Sequence, residues 1–410
     1  MSNASAPATE PKADRRLLAI FLIVLIDVMG MTIILPLLPF YSEHFGASPL
    51  VVGLLVSSYA ICQLISGPIL GHWSDKIGRK PILVFSQIGT FIGFLTLAFS
   101  TSLLWVFVAR IIDGLTAGNL STAQAYITDV SNPNERAKAL GKIGMAFGIG
   151  FFIGPALTAF LFRYGYQAPI LAAAALSFLS ICASMILLPS RKNSPQAKAG
   201  PAKAPFSYTK FISYFKQPVL AGLLLQIFLF YFSFSSYMAG FALFAERRFT
   251  FNGVALNPKQ VGYAFTYFGF LGIIIQGFLI GKLVTKWGER RLALFGFISS
   301  CVGYGVLSII HGPLWIGITG LLTSFGAGVL RPVLTSEISR CVGPHERGAI
   351  MGVNQSLQSF AQIIAPLLST FLIEQAWLMQ WAWLPSLISL IGAVMVLIYS
   401  QPKAAPGMAA

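Results

Sequence analysis

Long apolar runs separated by short polar turns repeat along the whole chain. The hydrocarbon core of a bilayer is about 30 Å thick, and roughly 20 mostly apolar helical residues cross it. The pattern therefore predicts membrane-spanning helices. Twelve are expected, at 16–41, 49–70, 81–100, 102–129, 136–163, 167–188, 218–246, 259–283, 291–310, 313–340, 347–374 and 378–400. One polar stretch, 189–217, divides them six and six. Its prolines and basic residues read as a flexible linker, with a short interfacial helix expected at Phe206–Phe215. The predicted organisation is a tail at 1–15, a bundle at 16–188, the linker at 189–217, a second bundle at 218–400 and a tail at 401–410. The fold class is an all-α membrane protein of 12 transmembrane helices in two pseudo-symmetric six-helix bundles.

Composition agrees with the pattern: 56% of the 410 residues are hydrophobic and only 10% charged. The net charge of +15 is no nucleic-acid footprint, because the basic residues lie in short interhelical segments rather than on one soluble face. They fall in alternate segments: around Arg15 and Arg16, Lys76 to Lys80, Arg136 to Lys142, the linker, Lys282 to Arg291, Arg340 and Arg347, and Lys403. The opposite side holds Arg163, Arg247, Arg248 and Lys259. The positive-inside rule then places both termini in the cytoplasm. The four cysteines, Cys62, Cys182, Cys301 and Cys341, lie in or beside apolar runs without metal-ligand spacing, so no metal is expected. No cofactor is expected. The polar start leads into a span too long for the h-region of a signal peptide.

The halves echo each other. GHWSDKIGRK at 71 returns as GKLVTKWGER at 281, AGNLS at 117 as AGVLR at 327, and Gly154-Pro155 as Ala365-Pro366. Parallel repeats of six spans are the internal symmetry of a transporter whose halves rock about a site between them.

Ionisable residues inside spans mark candidate sites, since a charge at bilayer depth is costly. Asp27 lies eleven residues beyond Arg16, roughly 16 Å at about 1.5 Å per residue, which is near mid-membrane. It reads as a proton or cation site, or as a neutral carboxyl bonded to backbone or held in an ion pair. Arg110 and Asp113 stand three apart on one face, as a structural pair or as a cation for which a substrate or proton competes. Asn119, Gln124 and Tyr126 follow them, with Asn119 and Tyr126 on one face. Arg331, Glu337 and Gln358 are the counterparts in the second half, with Gln355 and Gln362 as further polar positions. Glu337 stands close to the cytoplasmic end of its helix and ranks below Asp27. Aromatics crowd helices seven and eight, among them Tyr237, as packing or as a stacking surface for an amphiphilic ligand.

GHWSDKIGRK lacks the strand–loop–helix setting of a phosphate cradle, and no G-x-x-x-x-G-K-[ST] segment is present, which disfavours ATP-driven pumping. Gly71, Asp75, Gly78 and Arg79 read instead as a cytoplasmic gate, in which Asp75 accepts hydrogen bonds at a partner helix N-terminus. Gly144, Gly148, Gly154 and Pro155 allow close helix approach and a bend.

Four segments resemble the major facilitator superfamily and its twelve-span drug–proton antiporters, the group that includes tetracycline exporters. They are IDVMGMTIILPLLP (26–39), GHWSDKIGRK (71–80), RIIDG (110–114) and GKIGMAFGIGFFIGP (141–155). The resemblance implies the major facilitator fold, an Arg79–Asp129 pair in the gate, and a fifth helix that favours exchange over uniport. It further implies a protein that exchanges protons for a small molecule; a monomer in the lipid bilayer of the inner membrane is expected, and compactness with short external loops suggests a bacterial source. Where that group's tetracycline exporters carry an acid in helix three, this chain has Gly93, so tetracycline is not the expected substrate. The alternatives are transport of an organic anion, which Arg110 and Arg331 favour, and a membrane receptor that transports nothing. The gate contacts are expected to hold the cytoplasmic side shut and to break when it opens.

Overall fold

The computed structural model describes residues 10–130, 136–188, 214–310, 312–343 and 346–399. The first half comprises α1 (Glu10–Ile34), α2 (Leu38–His44), α3 (Pro49–Ile77), α4 (Arg79–Ala98), α5 (Leu103–Leu115), α6 (Asn119–Val130), α7 (Arg136–Leu161) and α8 (Gln167–Leu187). The second comprises α9 (Pro218–Arg248), α10 (Pro258–Ile274), α11 (Ile280–Val306), α12 (Ile316–Arg340), α13 (Arg347–Glu374) and α14 (Leu378–Ile398). Among the described residues, eleven helical runs are long and apolar enough to cross a membrane. The longest, Pro258–Val306, has 49 residues, or roughly 73 Å at about 1.5 Å per residue, more than two bilayer cores. It makes two crossings because Gly288 interrupts it with a φ of 74°. The described residues therefore make twelve crossings, as expected. Most of the segment 206–215 expected as an interfacial helix lies outside the described residues.

Four local features depart from the expected elements. The first span stops at Ile34 and restarts as α2, around Pro36 and Pro39, since proline cannot donate to a helix ladder. The fourth breaks between α5 and α6, where the Thr116 hydroxyl donates to the carbonyls of Ile112 and Asp113. That side chain competes with the helix ladder, and Gly114 and Gly118 flank it with low helix propensity. A wide π turn, Ile275–Leu279, joins α10 to α11. A two-stranded hairpin pairs β1 (Thr250–Phe251) with β2 (Val254–Ala255). Its turn residues Asn252 and Gly253 both have positive φ, 53° and 78°, as a tight I′ turn requires.

We call the end bearing the α3–α4 turn and Gly288 the inner end, and the end bearing α2 and the hairpin the outer end. Two helix pairs form the seam between halves, α3 with α13 and α7 with α10. At the outer end an apolar cluster spans both halves: Phe40, Ala47 and Val52 pack with Tyr237, Phe241, Phe244 and Trp381. Polar contacts cross there too. Arg247 pairs with Glu43 at 2.5 Å, Glu374 accepts from the Ser48 hydroxyl at 2.9 Å and the Leu50 amide at 2.7 Å, and the Ser57 hydroxyl donates to the Ile363 carbonyl at 2.7 Å.

The inner end differs. Its apolar clusters stay within one half, Ile20, Ile23 and Leu83 in the first and Leu292, Leu334 and Val342 in the second. Along the seam, a Cβ on Gly53 or Gly269 would collide across the halves, one on Gly148 would press on Ile273 at 3.3 Å, and one on Gly71, Gly144 or Gly352 would meet nothing within 4 Å among the described residues. The halves are thus sealed outside and parted inside.

Candidate substrate and proton site

In the first half a polar cluster sits within the helix bundle. Asp27 of α1 lies beside Ser180 of α8 and Gln87 of α4. The Gln87 side-chain amide donates to the Ser180 hydroxyl at 2.6 Å, while the Ser177 hydroxyl donates to the Gln87 main-chain carbonyl at 3.2 Å. A carboxyl set among such groups has partners in both its charged and its neutral form.

Asp113 of α5 lies close enough to Asp27 for their charges to interact. Arg110 donates to Asp113 at 2.9 Å, and their side chains are 12% and 10% exposed. The Thr90 hydroxyl also contacts Asp113. The Arg110 guanidinium lies over the Tyr59 ring, 4.4 Å from its centroid, an arrangement that favours a desolvated cation. Its Nε is buried without a hydrogen-bond partner, so the pair is not fully satisfied by itself. Asp113 also backs onto Gly93, whose Cβ would lie 3.1 Å from the Asp113 Cβ. The site that lacks an acid on α4 is occupied by one from α5.

The second half contributes a smaller group. Arg331 of α12 is exposed, and its side chain contacts the hydroxyl of Tyr231 of α9, which also meets Asn354 of α13. The Asn354 Oδ1 is buried without a partner. Gln358 is half-buried on α13, and Gln355 is exposed. In α6 the Asn119 Oδ1 is buried and unpartnered, Tyr126 is buried and Gln124 is exposed.

Two expected cavity residues lie elsewhere. Tyr237 is 1% exposed and packs in the outer seal, with its ring 4.9 Å from that of Tyr304. Glu337 lines a separate cavity at the inner end of the second half. Conversely, Tyr59, Gln87, Thr90 and Ser180 join the clusters without having been singled out in the sequence, whereas Tyr231 stands among the aromatics of helix seven and Asn354 among the polar positions of helix eleven. The one available signal was Gln87, a lone amide in the apolar run VFSQIGTF.

Comparison with known proteins follows the same architecture. The model of the Major Facilitator Superfamily matches residues 20–257 and 249–407. The chain belongs to the Major Facilitator Superfamily. Among curated relatives, the class B tetracycline resistance protein of Escherichia coli is 31% identical over 359 residues, covering 84% of this chain and 85% of its own. Multidrug resistance protein 2 of Bacillus subtilis (strain 168) is 28% identical, covering 87% and 89%. Among solved structures, the human organic anion transporter MFSD10 (TETRAN) superposes with a TM-score of 0.70 at 23% identity, covering 95% of this chain and 100% of that one. A peptide transporter, POT, gives 0.75 at 15% identity, with 93% and 94% covered. These last two speak to the fold.

Within this major facilitator fold, the expected gate is a brace inside one half. Arg79 bonds Asp129 of α6 at 2.8 Å and Asp75, four residues before it, at 2.5 Å. It also donates to Ser74 at 2.6 Å. All these partners belong to the first half, and the contacts are intact although the inner end is open. In this structure the expected gate contacts and the parted inner end occur together. In this state Asp75 bonds Arg79, and a Cβ on Gly71 would touch nothing. Gly78 supplies a φ of 114° at the α3–α4 turn, and Gly288 a φ of 74° at its counterpart in α11.

The second half keeps the brace with its signs exchanged. Glu289 stands where the repeat places Arg79, and Arg340 opposite stands one residue beyond Ser339, the position where it places Asp129. Arg340 donates to Glu289 at 2.8 Å, and the Ser336 hydroxyl donates to it at 2.9 Å. The second copy thus carries a mirrored ion pair. Glu289→Arg alone is expected to lower stability by about 1 kcal/mol, and Arg340→Glu in the same chain to recover it. Thermal unfolding of the three variants checks this, and an unrecovered double variant would mean that the pair is not the relevant contact.

On the helix-five motif, Gly154 lets Thr32 of α1 approach so closely that a Cβ would lie 2.0 Å from its hydroxyl oxygen. That hydroxyl donates to the Gly150 carbonyl at 2.8 Å. Pro155 lies inside α7, and its carbonyl faces Gly262 of α10, so the motif forms both intrahalf packing and the seam.

Proposed function

We propose that the protein is a proton-coupled antiporter that exports a lipophilic or amphipathic small molecule by alternating access. The observation that carries this reading is a cluster of ionisable groups within the first half: Asp27 lies near Asp113, and Arg110 pairs with Asp113 at 2.9 Å while its buried Nε keeps an unused donor. A proton arriving from outside would neutralise Asp27, and substrate bound from inside would be released as the halves rock. The efflux reading follows the names of the curated relatives, which are tetracycline and multidrug resistance proteins. Inner-membrane placement with cytoplasmic termini follows the charge bias, so that the parted end faces the cytoplasm.

The test is reconstitution of the full chain in liposomes with a trapped pH dye. Addition of a transported substrate is expected to drive proton flux, and Asp27→Asn to reduce that flux to the level of empty liposomes. Equal substrate-driven flux in wild type and variant would exclude Asp27 as the coupling site.

A second reading, transport of an organic anion, is favoured by Arg331, an exposed cation in mid-helix that bonds a neutral tyrosine. Counterflow with labelled organic anions against cationic dyes separates the two.

A further inference from the structure

An open cavity of about 540 Å³ lies at the inner end of the second half, built from that half alone and separate from the parted seam. Trp287, Glu289, Arg290, Arg291, Glu337 and Leu397 line it. Its volume falls within the range of about 300–1,000 Å³ usual for small-molecule sites. A narrow extension continues past Glu337 to Gln226, which is 2% exposed.

Glu337 is the anomaly in this cavity. It is 8% exposed, and among the described residues no hydrogen-bond donor reaches it. Its charged neighbours are Glu289, Arg340 and Arg290. Arg340 is committed to Glu289. Arg290 is committed through Nε and Nη2 to the carbonyls of Val396 and Leu397, at 3.2–3.3 Å. The Glu337 carboxylate opens onto the cavity, and an ionised carboxylate only accepts hydrogen bonds, so the cavity floor suits a ligand that brings N–H groups.

The rim has the opposite character. Arg290 keeps Nη1 for a further acceptor, and Arg291 is exposed with no acidic partner among the described residues. Guanidinium groups of this kind recognise phosphate oxygens. One side of the cavity is apolar, formed by Leu294, Val396 and Leu397. It continues onto a surface where Leu397 and Ile398 are 59% and 63% exposed, at the end of a helix in contact with the bilayer. A cationic donor in the floor, an anion at the rim and an apolar exit define one amphiphile.

We propose that this cavity binds the headgroup of a phospholipid bearing a primary ammonium, with the ammonium on Glu337 and the phosphate on Arg290 and Arg291. Its acyl chains leave over Val396 and Leu397 into the bilayer. A quaternary ammonium has no N–H to donate to Glu337, and a glycerol headgroup brings no cation. A soluble phosphoethanolamine ester shares the polar chemistry but leaves the apolar side unused.

Native mass spectrometry of the delipidated full-length protein tests the assignment. It is titrated with phosphatidylethanolamine, phosphatidylcholine and phosphatidylglycerol of identical acyl chains. Phosphatidylethanolamine is expected to bind on the order of tenfold more tightly, the worth of one hydrogen bond to a charged group. Glu337→Gln and Arg291→Gln are each expected to remove most of that preference. Arg291 is exposed and Glu337→Gln is nearly isosteric, and thermal unfolding confirms that both variants are folded. Equal affinity for the three lipids, or a preference unchanged in both variants, would overturn the proposal. Full displacement of the lipid by an equal concentration of glycerophosphoethanolamine would overturn the lipid assignment in favour of a soluble ligand. None of these readouts depends on transport, so they stand apart from the antiport reading.

Discussion

Gly269→Ala is expected to shift the protein away from the outer-sealed form, by five- to a hundredfold in the ratio of the two forms. A Cβ at Gly269 would lie 2.3 Å from the Phe151 carbonyl oxygen, 2.5 Å from its carbon and 2.6 Å from the Phe152 nitrogen. All three are backbone atoms of the opposite half, so no side chain can rotate away. Forcing an extra methyl into tight packing costs about 1–3 kcal/mol, and about 1.4 kcal/mol is tenfold. The cost falls on the form in which α7 and α10 touch and is relieved where they part. Gly53→Ala is the milder comparison. Its closest neighbour, the Thr370 hydroxyl at 2.1 Å, belongs to a side chain that can turn. The measurement is thiol labelling of a single cysteine placed at Ser48, in a chain whose four native cysteines are replaced. Faster labelling in Gly269→Ala, with Gly53→Ala between it and the parent, is the expected order. Identical rates in all three would show that the seam does not set the balance.

Arg110→Ala is expected to abolish transport and to destabilise the fold by about 3–5 kcal/mol, the cost of leaving one charge of a buried pair uncompensated. Asp113 is the stranded partner, its side chain 10% exposed. Asp113→Asn in the same chain is expected to restore most of the stability, because the remaining amide needs no cation, while leaving transport lost. Arg110→Lys keeps the charge but loses the planar stack on Tyr59 and the fork that meets a carboxylate, and it is expected to fall between. Thermal unfolding of the four chains with a parallel transport assay checks the order. Wild-type stability in Arg110→Ala would mean that water already compensates Asp113.

The twelve crossings were legible because the bilayer imposes a length and an apolar composition that few other contexts require. Gly78 and Gly288 were legible as a repeat, and both prove to be positive-φ turn positions. The break at Thr116 and the π turn at Ile275–Leu279 were not, since they arise from competition of side chains and packing with the helix ladder rather than from hydropathy. The same contrast holds at the site. Asp27, Arg110 and Asp113 stand out as charges in apolar runs. Their partners Tyr59, Thr90 and Ser180 are ordinary neutral residues whose role appears only when helices meet. Tyr237 and Glu337 show the limit from the other side: the sequence assigned the helix correctly, but the facing surface of that helix is decided by its neighbours. Gly93 is the sharpest instance. It reads as a missing acid along the chain, yet in space Asp113 stands against it.

The exchanged signs of the two inner-end braces leave the total charge of that end untouched. Glu289 replaces an arginine in one turn while Arg340 supplies one at the next, and both face the same side. Insertion of a nascent chain responds to the number of lysines and arginines retained on each side of the membrane. Two copies of an ancestral half could therefore trade the polarity of this pair without disturbing the topology in which the chain is threaded. An exposed ion pair is worth only about 0.2–1 kcal/mol, so an intermediate with like charges would have been tolerated on the way. Relocating the arginine across the membrane would instead have set the brace against the threading signal, and that route was closed from the start.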